Sequence, residues 1–243
     1  MCGIAGWLGY IENSTEVADS MMNKLMHRGP DSQKLAYFDG AALIHTRLSI
    51  IDLSEAGIQP HYNEDNTVAT IVNGEIYNYH ELKEELILKG HKFFGHSDCE
   101  IMPHMYEEYK EGMFAKLRGM FSIAVYDIKN NKLLLARDRF GIKPLFYSVD
   151  DKKFAFASEL NALKKFPDIN LTPDPQSIAD FSVLFYIPAP STFYTGIKAV
   201  EPSQYMTAEL TDNKIHLEHK FYYEWKPQIN VNMTEFHAVN KAD

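Results

Sequence analysis

The chain has 243 residues, of which 45% are hydrophobic and 13% aromatic, so it can bury a sizeable core and is not typical of a disordered protein. Its 33 acidic residues outnumber its 24 lysines and arginines, and the net charge of −9 disfavours nucleic acid and anionic membranes as partners. A cytoplasmic location is predicted, because the sequence has only two cysteines without CxxC spacing, no apolar stretch of membrane-spanning length and no visible signal peptide.

The first hundred residues predict alternating strands and helices. The opening CGIAGWLG indicates a short apolar strand, and TEVADSMMNKLMH places Val17, Met21 and Leu25 at helical spacing. The runs AALIHTRLSII and TVATIVNG are typical of further strands. The run YHELKEELILKG then indicates an amphipathic helix that ends at Gly90.

A capping box is predicted at SDCE, where Ser97 precedes Glu100 and opens a helix that runs to about Tyr109. Four strand-like runs follow, with DIKNNK as a hairpin connection between the first two: MFSIAVYD, KLLLARD, LFYSV and KFAFASE. Beyond about Leu163, proline-rich segments predict extended connections around a short helix, IADFSVLF. Strands in this proportion with interspersed helices predict antiparallel sheets covered by helices.

Cys2 is a candidate nucleophile because of its position. Removal of an initiator methionine is favoured by a small second residue, and it leaves Cys2 with both a thiol and a free α-amine. An α-amine has a pKa of about 7.7–8.0, so it can accept the proton of a thiol whose ordinary pKa is about 8.5. Nucleophile and base then belong to one residue. The alternative is a small buried hydrophobic residue that starts a strand, and position alone does not decide between the two.

Three further motifs carry polar groups that such a nucleophile needs. Asn73 and Gly74 in NGEIYNY offer a side-chain amide and a backbone N–H to an oxyanion, although Asn-Gly is also the commonest hairpin turn. Arg47, within an apolar run, needs a carboxylate from the protein or from a substrate. Asp98 either favours a helix N-terminus or binds an ammonium group. Arg47 and Asp98 together match the two ends of a free amino acid.

Eight motifs in order carry a family resemblance: MCGIAG, HRGPD, RLSIIDLS, NGEIYN, SDCE, GMFSIAVYD, ARDRFGIKPLFY and FASELNAL. They resemble the glutaminase domain of glutamine-hydrolysing asparagine synthetases, which are class II glutamine amidotransferases of the N-terminal-nucleophile hydrolase superfamily. The match is close over about residues 2–165, and PAPSTFYTGIKAVEPSQYM resembles the segment that closes this domain. The resemblance implies an α+β fold, a four-layer αββα sandwich of two antiparallel sheets covered by helices.

The resemblance also implies a role for each candidate residue. Cys2 is the nucleophile, Arg47 binds the α-carboxylate of glutamine, and Asp98 binds its α-ammonium group. Asn73 and Gly74 form the oxyanion hole. Three more residues are expected to contact the substrate: Leu48, Ile50 and Glu75. No metal ligand is expected.

Two features depart from the family pattern. Cys99 replaces the threonine of the usual SDTE motif, for which we expect a modest effect on the helix start and no second nucleophile. The chain also lacks the SGG-x-DS phosphate loop of the ATP-binding synthetase domain. We therefore predict a glutaminase domain over residues 1–226 and a polar linker over residues 227–243 towards that absent domain. An excised fragment is favoured over a stand-alone protein.

The predicted function is hydrolysis of glutamine to glutamate and ammonia, which a synthetase domain uses to amidate aspartate to asparagine. No cofactor is expected in this chain, whereas ATP and magnesium are expected for the absent domain. Homodimerisation is left open. Two alternatives also remain, namely the same chemistry feeding amidation of another acid, and a glutamine-binding domain without turnover, which predicts a retained Met1 or a blocked Cys2 amine.

Two charged motifs are predicted to have no direct role in catalysis or ligand binding. ARDRFGIKPLFY is interpreted as a strand, a solvated charged turn and a second strand, in preference to a phosphate site. Arg28 of HRGPD is expected near the first strand, without a direct catalytic role.

Overall fold

The structure is a computed structural model that describes residues 1–227. Twelve strands occur in this part of the chain: β1 (Gly3–Leu8), β2 (Ser32–Phe38), β3 (Ala41–Arg47), β4 (His61–Tyr62), β5 (Val68–Ile76), β6 (Gly119–Asp127), β7 (Lys132–Arg137), β8 (Phe146–Val149), β9 (Phe154–Ala157), β10 (Lys198–Ala199), β11 (Gln204–Thr211) and β12 (Lys214–Phe221). The same residues form six α-helices: α1 (Ser14–Asn23), α2 (Tyr79–Leu88), α3 (Ile101–Tyr109), α4 (Met113–Lys116), α5 (Leu160–Leu163) and α6 (Pro175–Leu184).

The strands form two six-stranded antiparallel sheets. The first has the order β10-β8-β9-β1-β3-β2, and the second has the order β12-β11-β7-β6-β5-β4. Strand β1 pairs with β9 on one side and with β3 on the other, where Gly3 lies opposite Thr46 and Leu8 opposite Ala41. The start of the chain is therefore held in the middle of a sheet.

Buried apolar side chains form three cores between successive layers. Ile4 of the first sheet and Ile71 of the second belong to the core between the sheets. Helices α2, α3 and α4 cover the outer face of the second sheet, with Met105 fully buried there. Helices α1 and α5 cover the outer face of the first sheet through Met21 and Leu163. This arrangement confirms the predicted four-layer αββα sandwich.

The predicted capping box is only half formed. The Ser97 hydroxyl accepts a hydrogen bond from the Cys99 N–H at 3.2 Å, as a capping residue does. The Glu100 carboxylate instead accepts hydrogen bonds from the N–H groups of Phe94 and Gly95. Glu100 therefore fixes the loop that precedes the helix.

Five strands were not predicted, namely β2, the two-residue strands β4 and β10, and the hairpin strands β11 and β12. The run AALIHTRLSII is a strand only as far as Arg47. Strand β2 lies at one edge of the first sheet, and β12 lies at one edge of the second. Most side chains of both strands are not buried, so their sequences include charged residues and lack an apolar run. Strand β11 lies beyond the proline-rich segments, where no element was predicted, and it pairs along its length with β12.

The turn in ARDRFGIKPLFY exposes Phe140 and Ile142, but its charged residues Asp138 and Lys143 are buried, contrary to the prediction of a solvated charged turn. Asp138 is fully buried and accepts hydrogen bonds from three backbone N–H groups of the turn: Phe140, Ile142 and Lys143. The Arg137 guanidinium donates to three backbone carbonyls around the same turn. The charged side chains thus satisfy backbone groups that would otherwise be buried without partners.

The predicted linker over residues 227–243 lies outside the described residues except for its first position. Within residues 1–227, no helix is long and apolar enough to cross a membrane.

Candidate active site

A cleft lies beside the start of β1, the end of β3 and the second half of β5. Its volume is about 740 Å³ with its open mouth included. Every residue predicted for the site lines this cleft: Cys2, Arg47, Leu48, Ile50, Asn73, Gly74, Glu75 and Asp98. The fold thus brings together motifs that are far apart in the sequence, while the role of each residue remains a prediction.

The Cys2 thiol lies at the start of β1 against the backbone of Leu48. The Leu48 N–H donates to Sγ at 3.4 Å, and Sγ lies 3.7 Å from the Leu48 carbonyl oxygen. Burial raises the pKa of the Cys2 thiol, and this outweighs the opposite effect of the nearby Arg47 and Arg28 charges. The thiol is therefore neutral near pH 7 and needs a base. With Met1 attached, the Cys2 nitrogen is an amide and cannot act as that base.

Arg47 ends β3 with its guanidinium buried at the cleft. Nη1 donates to the carbonyl oxygen of Ser54 at 2.9 Å, and Nη2 donates to that of Asp52. Gly57 packs directly against this group, because a Cβ at that position would lie 2.2 Å from Nη2. Within residues 1–227 no carboxylate forms an ion pair with Arg47, so the structural ion pair considered from the sequence is not found. The backbone carbonyls therefore fix the orientation of the Arg47 guanidinium, and its positive charge is available to a bound ligand.

Asp98 places a buried carboxylate in the same cleft. Oδ2 accepts a hydrogen bond from the Ile76 N–H at 2.7 Å, and Oδ1 accepts one from the Cys99 thiol at 3.5 Å. Burial raises the pKa of Asp98. In the described part of the chain no basic side chain pairs with Asp98. A buried carboxylate without a cation is unfavourable, so a bound ammonium group would stabilise it.

Asn73 and Gly74 lie inside β5, opposite Ser122 and Phe121 of β6, so the hairpin-turn interpretation is wrong. The Asn73 side chain is buried, and its Nδ2 has no hydrogen-bond partner within residues 1–227. A Cβ at position 74 would lie 2.1 Å from the Met120 carbonyl oxygen, which explains the glycine. An unpaired buried donor in a cleft is what a developing oxyanion needs.

A protein-family model described as a glutamine amidotransferase domain matches residues 1–223. The chain belongs to this glutamine amidotransferase domain family. Asparagine synthetase [glutamine-hydrolyzing] 3 of Bacillus subtilis (strain 168) is 36% identical over 214 residues, which are 85% of this chain and 34% of that protein. Asparagine synthetase [glutamine-hydrolyzing] 2 of Arabidopsis thaliana is 44% identical over 167 residues, which are 67% of this chain and 28% of that protein. The chain thus spans about a third of the length of these curated relatives.

A solved structure shares the fold of this glutamine amidotransferase domain. It is the glutamine phosphoribosylpyrophosphate amidotransferase from B. subtilis complexed with ADP and GMP. Its TM-score is 0.62 at 18% identity, with 91% of this chain and 49% of that chain covered.

Lys143, Asp52 and Gln59 line the cleft and are among its residues that were not predicted from the sequence. Lys143 is buried, with its Nζ 3.3 Å from the Met1 Sδ, and its motif was assigned to a solvated turn. Asp52 accepts a hydrogen bond from the His96 N–H and so joins two loops of the cleft. Hydrogen bonds from a neighbouring hydroxyl and two backbone N–H groups lower the pKa of Asp52 to about 2. Gln59 bonds to the backbone of β5. No sequence pattern marks these contacts in advance.

Arg28 contacts the backbone of Cys2. Its Nε donates to the Cys2 carbonyl oxygen at 2.9 Å, and its Nη1 donates to the Glu159 carboxylate at 2.9 Å. The side chain thereby fixes the first peptide of β1 relative to α5. We infer that Arg28 is a positioning residue for Cys2.

Replacing Arg28 with lysine is expected to lower kcat for glutamine hydrolysis by about 10- to 100-fold, because lysine cannot make both contacts and small displacements of a nucleophile are costly. KM for glutamine should change little, since Arg28 does not line the cleft. His27→Gln is the matched control, because exposed His27 also contacts Glu159 but does not contact Cys2. Steady-state glutamate release gives kcat and KM for both variants. Equal kcat values for Arg28→Lys and His27→Gln would contradict the positioning role of Arg28.

Proposed function

We propose that this domain hydrolyses glutamine to glutamate and ammonia, with Cys2 as the nucleophile. The supporting observation is the convergence of three groups on one cleft: the Cys2 thiol, the unpaired Asn73 amide and the buried Asp98 carboxylate. The thiol requires an electrophilic carbon, the Asn73 amide requires a hydrogen-bond acceptor, and the Asp98 carboxylate requires a cation. The amide carbon, amide oxygen and α-ammonium group of glutamine match these three requirements.

The proposed reaction follows from these groups. Arg47 binds the α-carboxylate of glutamine and Asp98 binds the α-ammonium group, which directs the side-chain amide towards Cys2. Sγ attacks the amide carbon as its proton passes to the Cys2 α-amine, and the oxyanion accepts hydrogen bonds from Asn73 and Gly74. The α-amine gives the proton to the departing ammonia. It then takes a proton from a water molecule that attacks the thioester, and glutamate is released.

Removal of Met1 is part of this proposal, because the base exists only as a free α-amine. Mass spectrometry of the N-terminus distinguishes catalysis from the alternative of glutamine binding without turnover. Catalysis requires a chain that starts at Cys2 with an unmodified amine. A retained Met1 or a blocked amine, together with measurable glutamine binding, would support the alternative.

Replacing Asp98 with asparagine is expected to raise KM for glutamine by about 10- to 150-fold, since a charge-assisted hydrogen bond contributes about 1.5–3 kcal/mol. The asparagine Oδ1 can still accept the Ile76 N–H bond, so the backbone should hold its position. Glutamate release at varied glutamine concentration measures the effect.

A glutamine analogue without the α-amine makes this test specific. The parent domain should discriminate strongly between glutamine and the analogue, while Asp98→Asn should treat the two nearly alike. Exposed Asp39, which binds the Tyr10 hydroxyl away from the cleft, provides the control variant Asp39→Asn. Retained discrimination in Asp98→Asn would contradict ammonium binding by this residue.

We further propose that the ammonia passes to a synthetase domain that amidates aspartate to asparagine with ATP and magnesium. This rests on the names of the relatives and on the third of their length that the chain spans. Incubating the longer parent protein with ATP, glutamine and candidate acids identifies the acceptor. A product other than asparagine would favour the alternative acid. A cytoplasmic location is proposed as well, and both cysteines are free thiols in the structure.

A further inference from the structure

A second cluster of polar side chains lies outside the cleft. Glu64 is in the turn between β4 and β5, and His91 is in the loop after α2. His104 and Glu107 are one turn apart on α3. One ligand atom from each of these four residues lies within 4.8 Å of the others. None of the four lines the cleft.

Three of the four residues form a nearly regular triangle. Nδ1 of His91 lies 3.2 Å from Nδ1 of His104. Oε2 of Glu64 lies 3.4 Å from the first nitrogen and 3.2 Å from the second. A tetrahedral Zn²⁺ with bonds of about 2.0–2.1 Å holds its ligands about 3.3–3.4 Å apart. The three atoms therefore have the spacing of one face of a zinc tetrahedron.

A surrounding carboxylate orients His91 for metal binding. Its Nε2 lies 3.3 Å from Oε1 of Glu108, so the ring proton is favoured on Nε2. In a neutral ring this leaves the Nδ1 lone pair facing Glu64 and His104. A lone pair and a carboxylate repel each other at this distance, so a cation between them would stabilise the arrangement. A carboxylate on the outer nitrogen is the usual support of a zinc-binding histidine.

The other ligands are held as well. His104 is buried on α3, and its Nδ1 lies 3.2 Å from Oε2 of Glu64. One oxygen of Glu64 accepts the Lys92 N–H at 2.8 Å, and Oε2 of Glu107 accepts from the Asn63 side chain at 3.1 Å. These contacts restrict both carboxylates to the cluster.

We propose that Glu64, His91 and His104 bind a Zn²⁺ ion, with Glu107 as the fourth ligand. Two imidazoles and carboxylates favour zinc over magnesium or calcium, which prefer oxygen ligands alone. The ion joins a turn of the second sheet, the loop after α2 and helix α3. Because Asp98 follows that loop and precedes α3, a bound ion would stabilise the backbone on both sides of the ammonium-binding carboxylate. The proposal does not depend on glutamine hydrolysis.

The test is calorimetric titration of tag-free protein with Zn²⁺, after metal removal by a chelator. An N-terminal cysteine can itself bind zinc through its thiol and amine, so all variants carry Cys2→Ala. Glu64→Gln and His91→Gln each remove one ligand, and His219→Gln removes an exposed histidine of β12 as the matched control. Circular dichroism verifies that each variant is folded. Glu64 is partly exposed, so its variant tests the proposal even where His91→Gln does not fold.

We expect one Zn²⁺ per chain, with binding weakened by about 100-fold or more in Glu64→Gln and His91→Gln and unchanged in His219→Gln. Co²⁺ should give a tetrahedral visible spectrum without a thiolate charge-transfer band. Absence of a tight site in the Cys2→Ala protein would overturn the proposal. Equal affinity in all four proteins would overturn it as well.

Discussion

Replacing Cys2 with alanine is expected to lower the rate of glutamate release from glutamine by on the order of 10⁴-fold or more, as loss of a covalent nucleophile does in other hydrolases. Glutamine binding should survive, because in the proposed mechanism Arg47 and Asp98 hold the amino-acid end of the substrate. Alanine also fits the start of β1 without a polar group. Single-turnover glutamate release, together with calorimetric binding of glutamine, measures the two effects separately.

Cys99→Ala is the matched control, because it removes the other of the two cysteines. Cys99 is buried, and burial raises its pKa well above the ordinary value, so it is a poor nucleophile. Its thiol donates to Asp98, so we expect a small rise in KM and a nearly unchanged kcat. Loss of turnover in Cys99→Ala with full activity in Cys2→Ala would reverse the assignment.

Replacing Asn73 with alanine is expected to lower kcat by about 100- to 1,000-fold while KM changes little, because an oxyanion-hole donor acts mainly in the transition state. The fold should tolerate the change, since Nδ2 of Asn73 has no partner to lose within residues 1–227. Steady-state kinetics gives the kcat and KM values, and thermal unfolding measures stability.

Asn130→Ala provides the comparison for this variant. Asn130 is exposed in the β6–β7 turn and binds Asp127, far along the sheet from the cleft. Its replacement should leave kcat unchanged. An unchanged kcat in Asn73→Ala would exclude the oxyanion role, whereas a raised KM at constant kcat would assign Asn73 to ground-state binding.

Predictions from the sequence were most accurate where apolar periodicity determines the local structure. Strands β5, β6 and β7 bury most of their residues, and their apolar runs were evident. Edge strands β2 and β12 pair through backbone groups and expose most side chains, so their pairing leaves little trace in sequence. The αββα layering could be inferred only from the family resemblance, because the order of strands in a sheet is a non-local property.

The residues of the candidate site also divide into those that could be selected from the sequence and those that could not. Arg47 and Asp98 could be selected as charges that need partners, and both lack an ion-pair partner in the described structure. Lys143 and Asp52 could not be selected, because both are buried among segments distant in the sequence, where Lys143 contacts Met1 and Asp52 contacts His96. Asn73 is intermediate, since the Asn-Gly pair favoured a turn and only the pairing of β5 with β6 placed it inside a strand.

The central position of β1 has a consequence for how the protein loses activity. Terminal residues usually fray independently of the domain that carries them. Here Cys2, the proposed nucleophile, directly precedes a strand that is bonded on both sides, and the Cys2 carbonyl oxygen accepts a hydrogen bond from Arg28. Local opening at the N-terminus therefore requires breaking the middle of a sheet, so heat inactivation should coincide with cooperative unfolding of the whole domain.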